Sequence, residues 1–509
     1  MVKNKFFLTT LFGLWSSVSL AQIEVGSLPE ISVGTVGLPT VFTSDIWKET
    51  SDVDAVLSAI KPLGRAKLDT FEREILRQVI LTDAAGVPAM MTGSVARGTW
   101  VKGDKDIDIF MQFPPDISRE ELRERGLAAA YAVVERFGGT AEEMYAEHPY
   151  LNAVIDGFDV DLVPCYLVNS TAEMKSAVDR TPFHTRYLKG KIEPLREDVL
   201  LLKQFCKAGG VYGSDHMTGG FSGYLCELLT LAFGGFSGVL EAASLFRPHT
   251  VIDIEGFYPD KKSAAKLFAE PFIVIDPTDK DRNVAAAVTM TKFAEFIVLA
   301  RDYLQHPSMR YFTAEPKETL SRDEFCSIIQ SRGTSVFSMV FKTPDFIAET
   351  VVPQLRKTEE SISSMLSEAD FTVIRSGFSM GKEHSILLFE LAAETLPAFS
   401  IREGPPVWVL ENAEKFTAKY ASENGFAGPW ISEGRWYTEV PRKYVHASDF
   451  FTDSKKILSG SLGKHVRVSL EEGYEVYFGE SVWMDEFALF LAEYFAKTSA
   501  SIRKMRADS

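Results

Sequence analysis

Apolar residues recur along the first third of the chain at two spacings, one typical of helices and one typical of strands. Helical spacing runs through residues 53–60 and again from Leu68 to Asp83. A charged amphipathic helix is predicted from Ser118 to Phe137, because Ser118 and Glu121 form a capping-box pattern at its start. Strands are predicted at Val87 to Met91, Tyr150 to Ile155 and Phe158 to Tyr166. This alternation of strands and helices predicts an α/β sheet domain.

Longer apolar segments follow in the rest of the chain. Helical spacing from Glu193 to Ala208 and an almost wholly apolar stretch from Phe221 to Phe233 predict a helical unit packed beside the sheet. A further helix is predicted from Asn283 to Leu304. The last predicted elements are two strands between Phe371 and Glu390, interrupted at Gly377 with a turn near Gly381, and a closing helix from Phe487 to Ile502.

Composition and charge narrow the class of protein. A chain of 509 residues predicts several domains, and its 46% hydrophobic and 24% charged residues are typical of a globular protein. The net charge of −16, from 54 Lys and Arg against 70 Asp and Glu, argues against a broadly basic nucleic-acid coat but leaves a local basic groove open. The four cysteines are too widely spaced for a zinc site or a disulfide framework, which favours reduced thiols in an intracellular protein.

The N-terminal residues, in contrast, favour an exported protein. Lys3 and Lys5 precede an apolar stretch from Phe6 to Leu20 that ends in small residues, which is the layout of a secretory signal peptide. The stretch is short for a membrane span and is interrupted by Ser and Thr. Residues 22–50 are rich in Gly, Pro, Ser and Thr and are typical of an unstructured linker.

Candidate chemistry is concentrated in residues 91–113. Gly93 and Ser94 form a turn, and Asp106 and Asp108 occupy alternate positions of an apolar run. Because side chains two apart on a strand share a face, both carboxylates are predicted to project together. Two like charges at that separation favour a cation such as Mg²⁺, and a Gly-Ser turn offers donors to phosphates that share the metal. The alternative is an Asp-rich turn beside an edge strand.

A third acid lies in the strand predicted from Phe158 to Tyr166. Asp161 is flanked by Val160, Leu162 and Val163, so it is a carboxylate in a segment with the pattern of a core strand. A third carboxylate is what a two-metal site for phosphoryl transfer requires. The alternative is a hydrogen-bonded core aspartate.

These residues resemble a known family. Gly-Ser followed by D-x-D and a later Asp is the signature of the polymerase-beta superfamily, which includes poly(A) polymerases and aminoglycoside nucleotidyltransferases. The chain is more closely similar to the archaeal-type (class I) CCA-adding enzymes, which are tRNA nucleotidyltransferases. This resemblance extends from about Val53 to near the C-terminus and rests on the segments GSVARGTWVKGDKDIDIF, VDLVPCY, TPFHTRYL, LLKQFCKAGGVYGSD, GFSGYLCELL, DPTDKDRNVAAAV, GPPVWV and GPWISEGRWYTEVPRKY.

The resemblance implies an α+β multidomain fold. It divides the chain into a polymerase-beta-like nucleotidyltransferase α/β head over residues 51–190, a helical, nucleotide-binding neck over 191–310, and an α/β body and tail over 311–509 that bind tRNA. Residues 1–50 fall outside it and are interpreted as a signal-like or spurious leader with a linker. We expect an upstream start that is incorrectly assigned or a dispensable extension, because an exported enzyme would lack ATP, CTP and immature tRNA.

The resemblance also implies roles for the three acids. Asp106, Asp108 and Asp161 would ligate Mg²⁺ at a two-ion site, and Asp161 would help to activate the 3′-hydroxyl of tRNA. Ser94 and Arg97 would contact the nucleotide triphosphate.

Further nucleotide contacts are implied at His184, Lys203 and Tyr212, and a place in the base-reading pocket at Arg282. By themselves these residues have ordinary alternatives. His184 could be a helix-cap histidine, Lys203 a solvated position on a helix, and Tyr212 a core aromatic with a bonded hydroxyl. Trp100, Trp430 and Trp436 are candidates for stacking on RNA, although core packing is the stronger interpretation for each.

The implied activity is template-independent addition of C, C and A to the tRNA 3′ end from CTP and ATP, with release of pyrophosphate each time. The implied partners are the tRNA acceptor stem and 3′ end, CTP and ATP, in the cytoplasm, with no stable membrane association. The family often forms dimers, but no interface signal is visible in the sequence. Two alternatives are a poly(A) polymerase or oligoadenylate synthase with the same acids, and a non-catalytic RNA-binding protein.

Overall fold

A computed structural model describes residues 65–82, 87–102, 106–145, 149–316, 319–421 and 426–506. The leader and linker predicted for residues 1–50 and the helix predicted at 53–60 lie outside this part of the chain. The first described helix, α1, spans Arg65–Thr82, close to the predicted Leu68 to Asp83.

The first sheet has the strand order β1-β2-β5-β4-β3. Strands β2 and β5 run parallel, and the other neighbours are antiparallel. Buried Val, Ile, Leu, Phe and Met side chains of β2 and β5 make these two the centre of the sheet. The strands are β1 (Ala89–Met91), β2 (Ile107–Phe113), β3 (Thr140–Tyr145), β4 (Pro149–Ile155) and β5 (Phe158–Tyr166).

Helices α1 and α3 pack with this sheet, and the short α2 (Gly93–Arg97) follows β1 directly. Helix α3 (Arg119–Phe137) begins where predicted, because Ser118 Oγ accepts a hydrogen bond from the backbone N–H of Glu121 at 3.1 Å. Gly138 ends it with a left-handed φ of 66°. One continuous apolar core joins α1, α3 and the inner strands.

The neck carries helices and a small sheet with the order β6-β7-β8, which the sequence did not predict. Its core is aromatic, with the Phe205 ring at 5.6 to 6.4 Å from the rings of Phe236, Phe296, Tyr303, Tyr311 and Phe312. Helix α4 (Thr181–Leu188) ends the head, and the elements of the neck are α5 (Arg196–Ala208), α6 (Gly223–Phe233), α7 (Phe236–Ser244), β6 (Thr250–Ile252), α8 (Lys261–Ala265), β7 (Phe272–Asp276), β8 (Asp279–Asn283) and α9 (Met290–Gln305).

The body is built on a sheet with the order β10-β11-β9-β15, against which α11 packs. The tail sheet has the order β12-β14-β13, and α12 lies against it. The elements are α10 (Arg322–Arg332), β9 (Ser335–Lys342), α11 (Ala348–Glu368), β10 (Val373–Met380), β11 (His384–Leu391), β12 (Phe399–Pro406), α12 (Leu410–Tyr420), β13 (Trp430–Ser432), β14 (Arg435–Pro441), α13 (Ala447–Thr452), α14 (Ser454–Leu458), α15 (Lys464–Glu472), β15 (Glu475–Phe478), α16 (Ala488–Phe495) and α17 (Ala500–Arg506).

Three predictions about the later elements were wrong in detail. The predicted closing helix from Phe487 to Ile502 is two helices, α16 and α17, because Ser499 Oγ accepts from the N–H of Ile502 and starts a new helix. The predicted helix from Asn283 begins at Met290, after the Thr289 cap. No interruption occurs at Gly377, which pairs with Leu388 inside β10, whereas the turn near Gly381 is confirmed.

Helix α17 returns from the end of the chain to the neck. The Lys504 side chain, 1% exposed, donates from Nζ to the carbonyl of Arg310 at 2.7 Å and to that of Thr313 at 3.1 Å. Across the described ranges, no single helix is long and apolar enough to cross a membrane; α6 and α7 meet the length and composition together but bend by 90°.

Candidate active site

Asp108 and Asp161 stand side by side in the centre of the first sheet. They are register partners on the parallel strands β2 and β5. On the other side of Asp161, Asn152 of β4 is its register partner, and Asn152 Nδ2 donates to Asp161 Oδ1 at 2.8 Å. The sheet therefore places two carboxylates next to each other and fixes the orientation of one of them.

Burial and repulsion from neighbouring carboxylates disfavour the charged form of both acids. Burial first, and then the charges of Asp161 and Asp106, raise the pKa of Asp108 to about 6, against the opposing charges of Arg97 and Lys203. Burial also raises the pKa of Asp161, although the bond from Asn152 opposes this shift. A cation held between these carboxylates would relieve the repulsion.

Asp106 lies outside the strand in which it was predicted. Strand β2 begins at Ile107, so Asp106 is an exposed residue that precedes it, and the predicted alternation of both acids within one strand was wrong. Asp106 is still close enough to raise the pKa of both Asp108 and Asp161. Among the residues described, no three His, Cys, Asp or Glu side chains are already arranged around one metal position.

Gly93 is required by the position of Asp108. Its φ is +69°, and a Cβ added there would lie 1.8 Å from Asp108 Oδ2. The neighbouring Thr92 N–H donates to the backbone carbonyl of Asp108 at 2.9 Å. Ser94 follows on α2, half-buried, with its carbonyl accepting from the N–H of Thr99 at 2.9 Å. Gly93 and Ser94, predicted as a turn, form the first residues of α2, and this helix is packed directly against the acid of β2.

Arg97 and Lys203 meet at a buried carboxylate, Glu227, on α6. Arg97 donates from Nε and Nη2 to Glu227 Oε2, both at 2.9 Å, and from Nη1 to Thr185 Oγ1 at 3.2 Å. Lys203 Nζ lies 3.6 Å from Glu227 Oε1 and donates to the carbonyl of Thr99 at 2.9 Å. Lys203 is 2% exposed, so its interpretation as a solvated helix position was wrong.

Tyr212 lies beside Lys203. A Cβ added at Gly223 would lie 3.0 Å from the Tyr212 hydroxyl and 3.4 Å from Lys203 Nζ, so both groups line the start of α6. The Tyr212 ring also makes a cation–π contact with Lys207, whose Nζ is 5.2 Å from the ring centroid. Tyr212 is half-buried.

His184 and Arg282 are joined by a second buried acid, Asp276. His184 Nε2 lies 2.8 Å from Asp276 Oδ2, and Arg282 Nη1 donates to the same oxygen at 2.9 Å. The His184 ring stacks on Tyr224 with centroids 3.9 Å apart. Burial lowers the pKa of His184, although Asp276 opposes this shift. His184 thus lies within α4 and contacts another element, which is not the geometry of a helix cap.

Helix α4 connects the two clusters. His184 belongs to the Asp276 cluster, and the next residue, Thr185, accepts from Arg97 of the Glu227 cluster. Arg97 and Lys203 belong to the Glu227 cluster, and their positive charges oppose the rise in the pKa of Asp108. The tertiary structure therefore arranges the sequence-predicted residues as a carboxylate group and two adjoining polar clusters.

Sequence reasoning did not identify Asn152, Tyr224, Glu227 or Asp276. For Glu227 a signal was available, because it is a lone charge in the almost wholly apolar stretch from Phe221 to Phe233, and such a charge is paired when buried. Asp276 follows four apolar residues of β7, which is a similar signal. Nothing local distinguished Asn152 or Tyr224, since their partners come from other strands and helices.

Family models match three consecutive stretches of the chain. They describe a nucleotidyltransferase domain at residues 73–184, the second domain of tRNA nucleotidyltransferase at 197–313, and the C-terminal domain of CCA-adding enzyme at 332–479. The CCA-adding enzyme of Methanoregula boonei is 47% identical over 86% of this chain and 95% of the relative.

Two further CCA-adding enzymes are similar to this chain over most of its length. The CCA-adding enzyme of Methanosarcina acetivorans is 43% identical over 83% of this chain and 92% of the relative. The one from Haloarcula marismortui is 39% identical over 88% and 99%. With its nucleotidyltransferase sheet and its near full-length similarity to these enzymes, the chain belongs to the CCA-adding enzyme family of tRNA nucleotidyltransferases.

Proposed function

We propose that Asp106, Asp108 and Asp161 are the catalytic, metal-binding carboxylates of this CCA-adding enzyme. The observation that carries the proposal is the register pairing of Asp108 with Asp161, which sets side by side two carboxylates whose pKa values are both raised, in each case mainly by burial. Hard carboxylate oxygens suit Mg²⁺, which leaves coordination positions for substrate phosphates. Two such ions would clamp the attacking and leaving oxygens of the phosphoryl transfer.

Asp161 is proposed to orient the 3′-hydroxyl of the tRNA and to help remove its proton. Asn152 supports this role because it donates to Oδ1 and thereby holds the carboxylate in one orientation. A raised pKa makes Asp161 a better proton acceptor than an ordinary exposed aspartate. The chain itself contributes positioning and charge, which supply most of the rate of phosphoryl transfer.

The nucleotide is proposed to lie against the two polar clusters. Ser94, Arg97, Lys203 and Tyr212 would hold the triphosphate, because two buried cations stand next to Asp108. In the adjoining cluster, His184 and Arg282 would approach the sugar and base, and both CTP and ATP would use this one site. Their shared contact with Asp276 supports a common role.

Three successive transfers would extend the tRNA by C, C and A, each with release of pyrophosphate. The test is incubation of the purified chain with tRNA lacking its terminal CCA and with labelled CTP and ATP. We expect incorporation of two C residues and one A. Runs of A on any RNA end would instead favour a poly(A) polymerase, and binding of tRNA without incorporation would favour a non-catalytic RNA-binding protein.

The domain division is also a proposal, with a catalytic head over residues 51–190, a neck over 191–310, and a tRNA-binding body and tail over 311–509. Separate sheets in these three regions support it. A cytoplasmic location is proposed because CTP, ATP and immature tRNA are available there. A mature terminus at Gln22 in a secreted fraction would contradict it. Sedimentation equilibrium of the purified chain tests whether it forms the homodimer that is common in the family.

A further inference from the structure

A fully buried carboxylate lies behind the proposed triphosphate site. Glu227 is 0% exposed and sits on α6 between Leu225, Cys226, Leu228 and Leu229, all of which are 0% exposed as well. A charge in such surroundings persists when it is paired and hydrogen-bonded. The role of Glu227 therefore depends on the side chains that pair with it.

The partners of Glu227 come from two other helices and from the segment that follows the first of them. Arg97, at the end of α2, offers two donors to Oε2, and Lys203 of α5 lies 3.6 Å from Oε1. Thr99, in the segment that leads toward Asp106, donates from its hydroxyl to Oε1. Burial by itself raises the pKa of Glu227, but Arg97 and Lys203 outweigh burial and hold this pKa below its ordinary value.

Glu227 thus joins the Gly-Ser helix and α5 at one point. Arg97 and Lys203 are long side chains with many rotamers, and both are nearly fully buried. A carboxylate between them fixes the direction of each, and it leaves the three groups with a net charge of one positive unit next to Asp108. An anionic ligand that met these cations would find them already oriented, which lowers the cost of ordering them on binding.

We infer that Glu227 is the positioning residue that orients Arg97 and Lys203 for the polyphosphate of the incoming nucleotide. The inference rests on the proposed function of those two cations. Glu227 itself does not touch the substrate. A glutamine in its place presents an amide N–H₂ where Arg97 and Lys203 also present donors, so it cannot reproduce the carboxylate's contacts.

The test measures binding of inorganic tripolyphosphate with Mg²⁺ to the full chain by calorimetry, together with the KM and kcat for CTP. In Glu227→Gln we expect the Kd for tripolyphosphate to rise roughly ten-fold or more, the size of the loss that follows when the hydrogen-bond partner of a metal-ligating side chain is removed. The KM for CTP should rise by a similar factor, and kcat should change less.

Glu390→Gln is the matched control. Glu390 is also 0% exposed and is bonded to two arginines, Arg332 and Arg375, but it lies in the body sheet. Its variant should lose a comparable buried pair and keep the Kd for tripolyphosphate. An equal rise in Kd for both variants, or an unchanged Kd for Glu227→Gln, would overturn the inference.

Two further variants complete the design. If Glu227→Gln does not fold, Glu227→Asp decides, since it keeps the charge but retracts it from both cations; a raised Kd supports the inference and an unchanged Kd overturns it. Lys203→Met tests the underlying function separately. If this variant binds tripolyphosphate normally, the proposed phosphate site fails, whereas loss of binding in Lys203→Met with normal binding in the Glu227 variants refutes the positioning role alone.

Discussion

The α-carbon of Gly93 lies so close to the Asp108 carboxylate that a Cβ on residue 93 would be 1.8 Å from Asp108 Oδ2. Helix α2 and strand β2 are therefore in direct contact at this point, and any side chain at residue 93 must displace the Asp108 carboxylate. Gly93 also has a φ of +69°, which glycine adopts freely. A substitution at this position would therefore strain the backbone as well as overlap the Asp108 carboxylate.

We expect Gly93→Ala to lower the rate of nucleotide incorporation at least about a hundred-fold, because displacing a reacting group by on the order of 1 Å has that effect. Steady-state incorporation of CTP measures it. Gly138→Ala is the matched control. Gly138 has nearly the same φ, +66°, but open space around its Cβ position. A Gly93→Ala variant as active as Gly138→Ala would show that the contact with Asp108 does not matter.

Asp108→Asn is expected to inactivate the enzyme and yet to stabilise the metal-free protein at pH 8. The pKa of Asp108 is about 6 in the folded chain against 3.8 ordinarily, so the folded state favours the protonated form. The stability that this group contributes is complete below about pH 4 and is lost as the pH rises through 6. The shift of roughly two units limits the gain to about 3 kcal/mol.

Urea unfolding in the presence of a chelator measures this difference at pH 8 and pH 4. The gain should be present at pH 8 and absent at pH 4, where the wild-type carboxyl is protonated. Asp159→Asn, at an exposed position of the same sheet, serves as the control and should change little. Equal stability of wild type and Asp108→Asn at pH 8 would contradict the expected cost of keeping the Asp108 carboxylate charged in the folded chain.

Binding of Mg²⁺ is expected to weaken below pH 6. A carboxylate must be deprotonated before it can ligate a metal, and Asp108 takes up its proton as the pH falls through about 6. The apparent Kd should therefore rise up to about ten-fold for each pH unit below 6 and change little above 7. Calorimetric titration with Mg²⁺ between pH 5 and 8 measures it, and a flat profile would argue against Asp108 as a ligand.

Asp276→Asn is expected to destabilise the fold and to raise the KM for both nucleotides. Asp276 is 0% exposed and accepts from His184, Arg282 and Thr278. Burial raises its pKa, but the contacts with His184 and Thr278 outweigh burial and hold this pKa low. Breaking such a buried pair costs about 3 kcal/mol. Because the pKa is depressed, the difference from wild type should be full above pH 4 and shrink as the pH falls below it.

Thermal or urea unfolding at pH 7 measures the loss, and Asp281→Asn is its control. Asp281 pairs with Lys280 at 3.0 Å, but these side chains are 72% and 61% exposed, so the change should stay under about 1 kcal/mol. If both variants lose the same stability, burial of the Asp276 cluster is not what stabilises it.

Several elements were determined by local sequence. Strand β5 spans Phe158–Tyr166 as predicted, because its alternating start and continuous apolar end suit a half-exposed and then buried strand. Helix α3 follows Ser118 because a short hydroxyl side chain can cap the helix locally. The candidate acids Asp106, Asp108 and Asp161 were also proposed from motif and resemblance, since each carries its chemistry in its own side chain.

What tertiary structure decided was which of these side chains meet. Asp161 is paired with Asp108 by the order of strands in the sheet, and no local pattern encodes which strand lies next to which. Glu227 and Asp276 became the junctions of the site because α6 and β7 bring them against Arg97 and His184, which are far away in sequence. Buried charges require partners, and a partner's identity depends on long-range packing, so the clusters exist only in the folded chain.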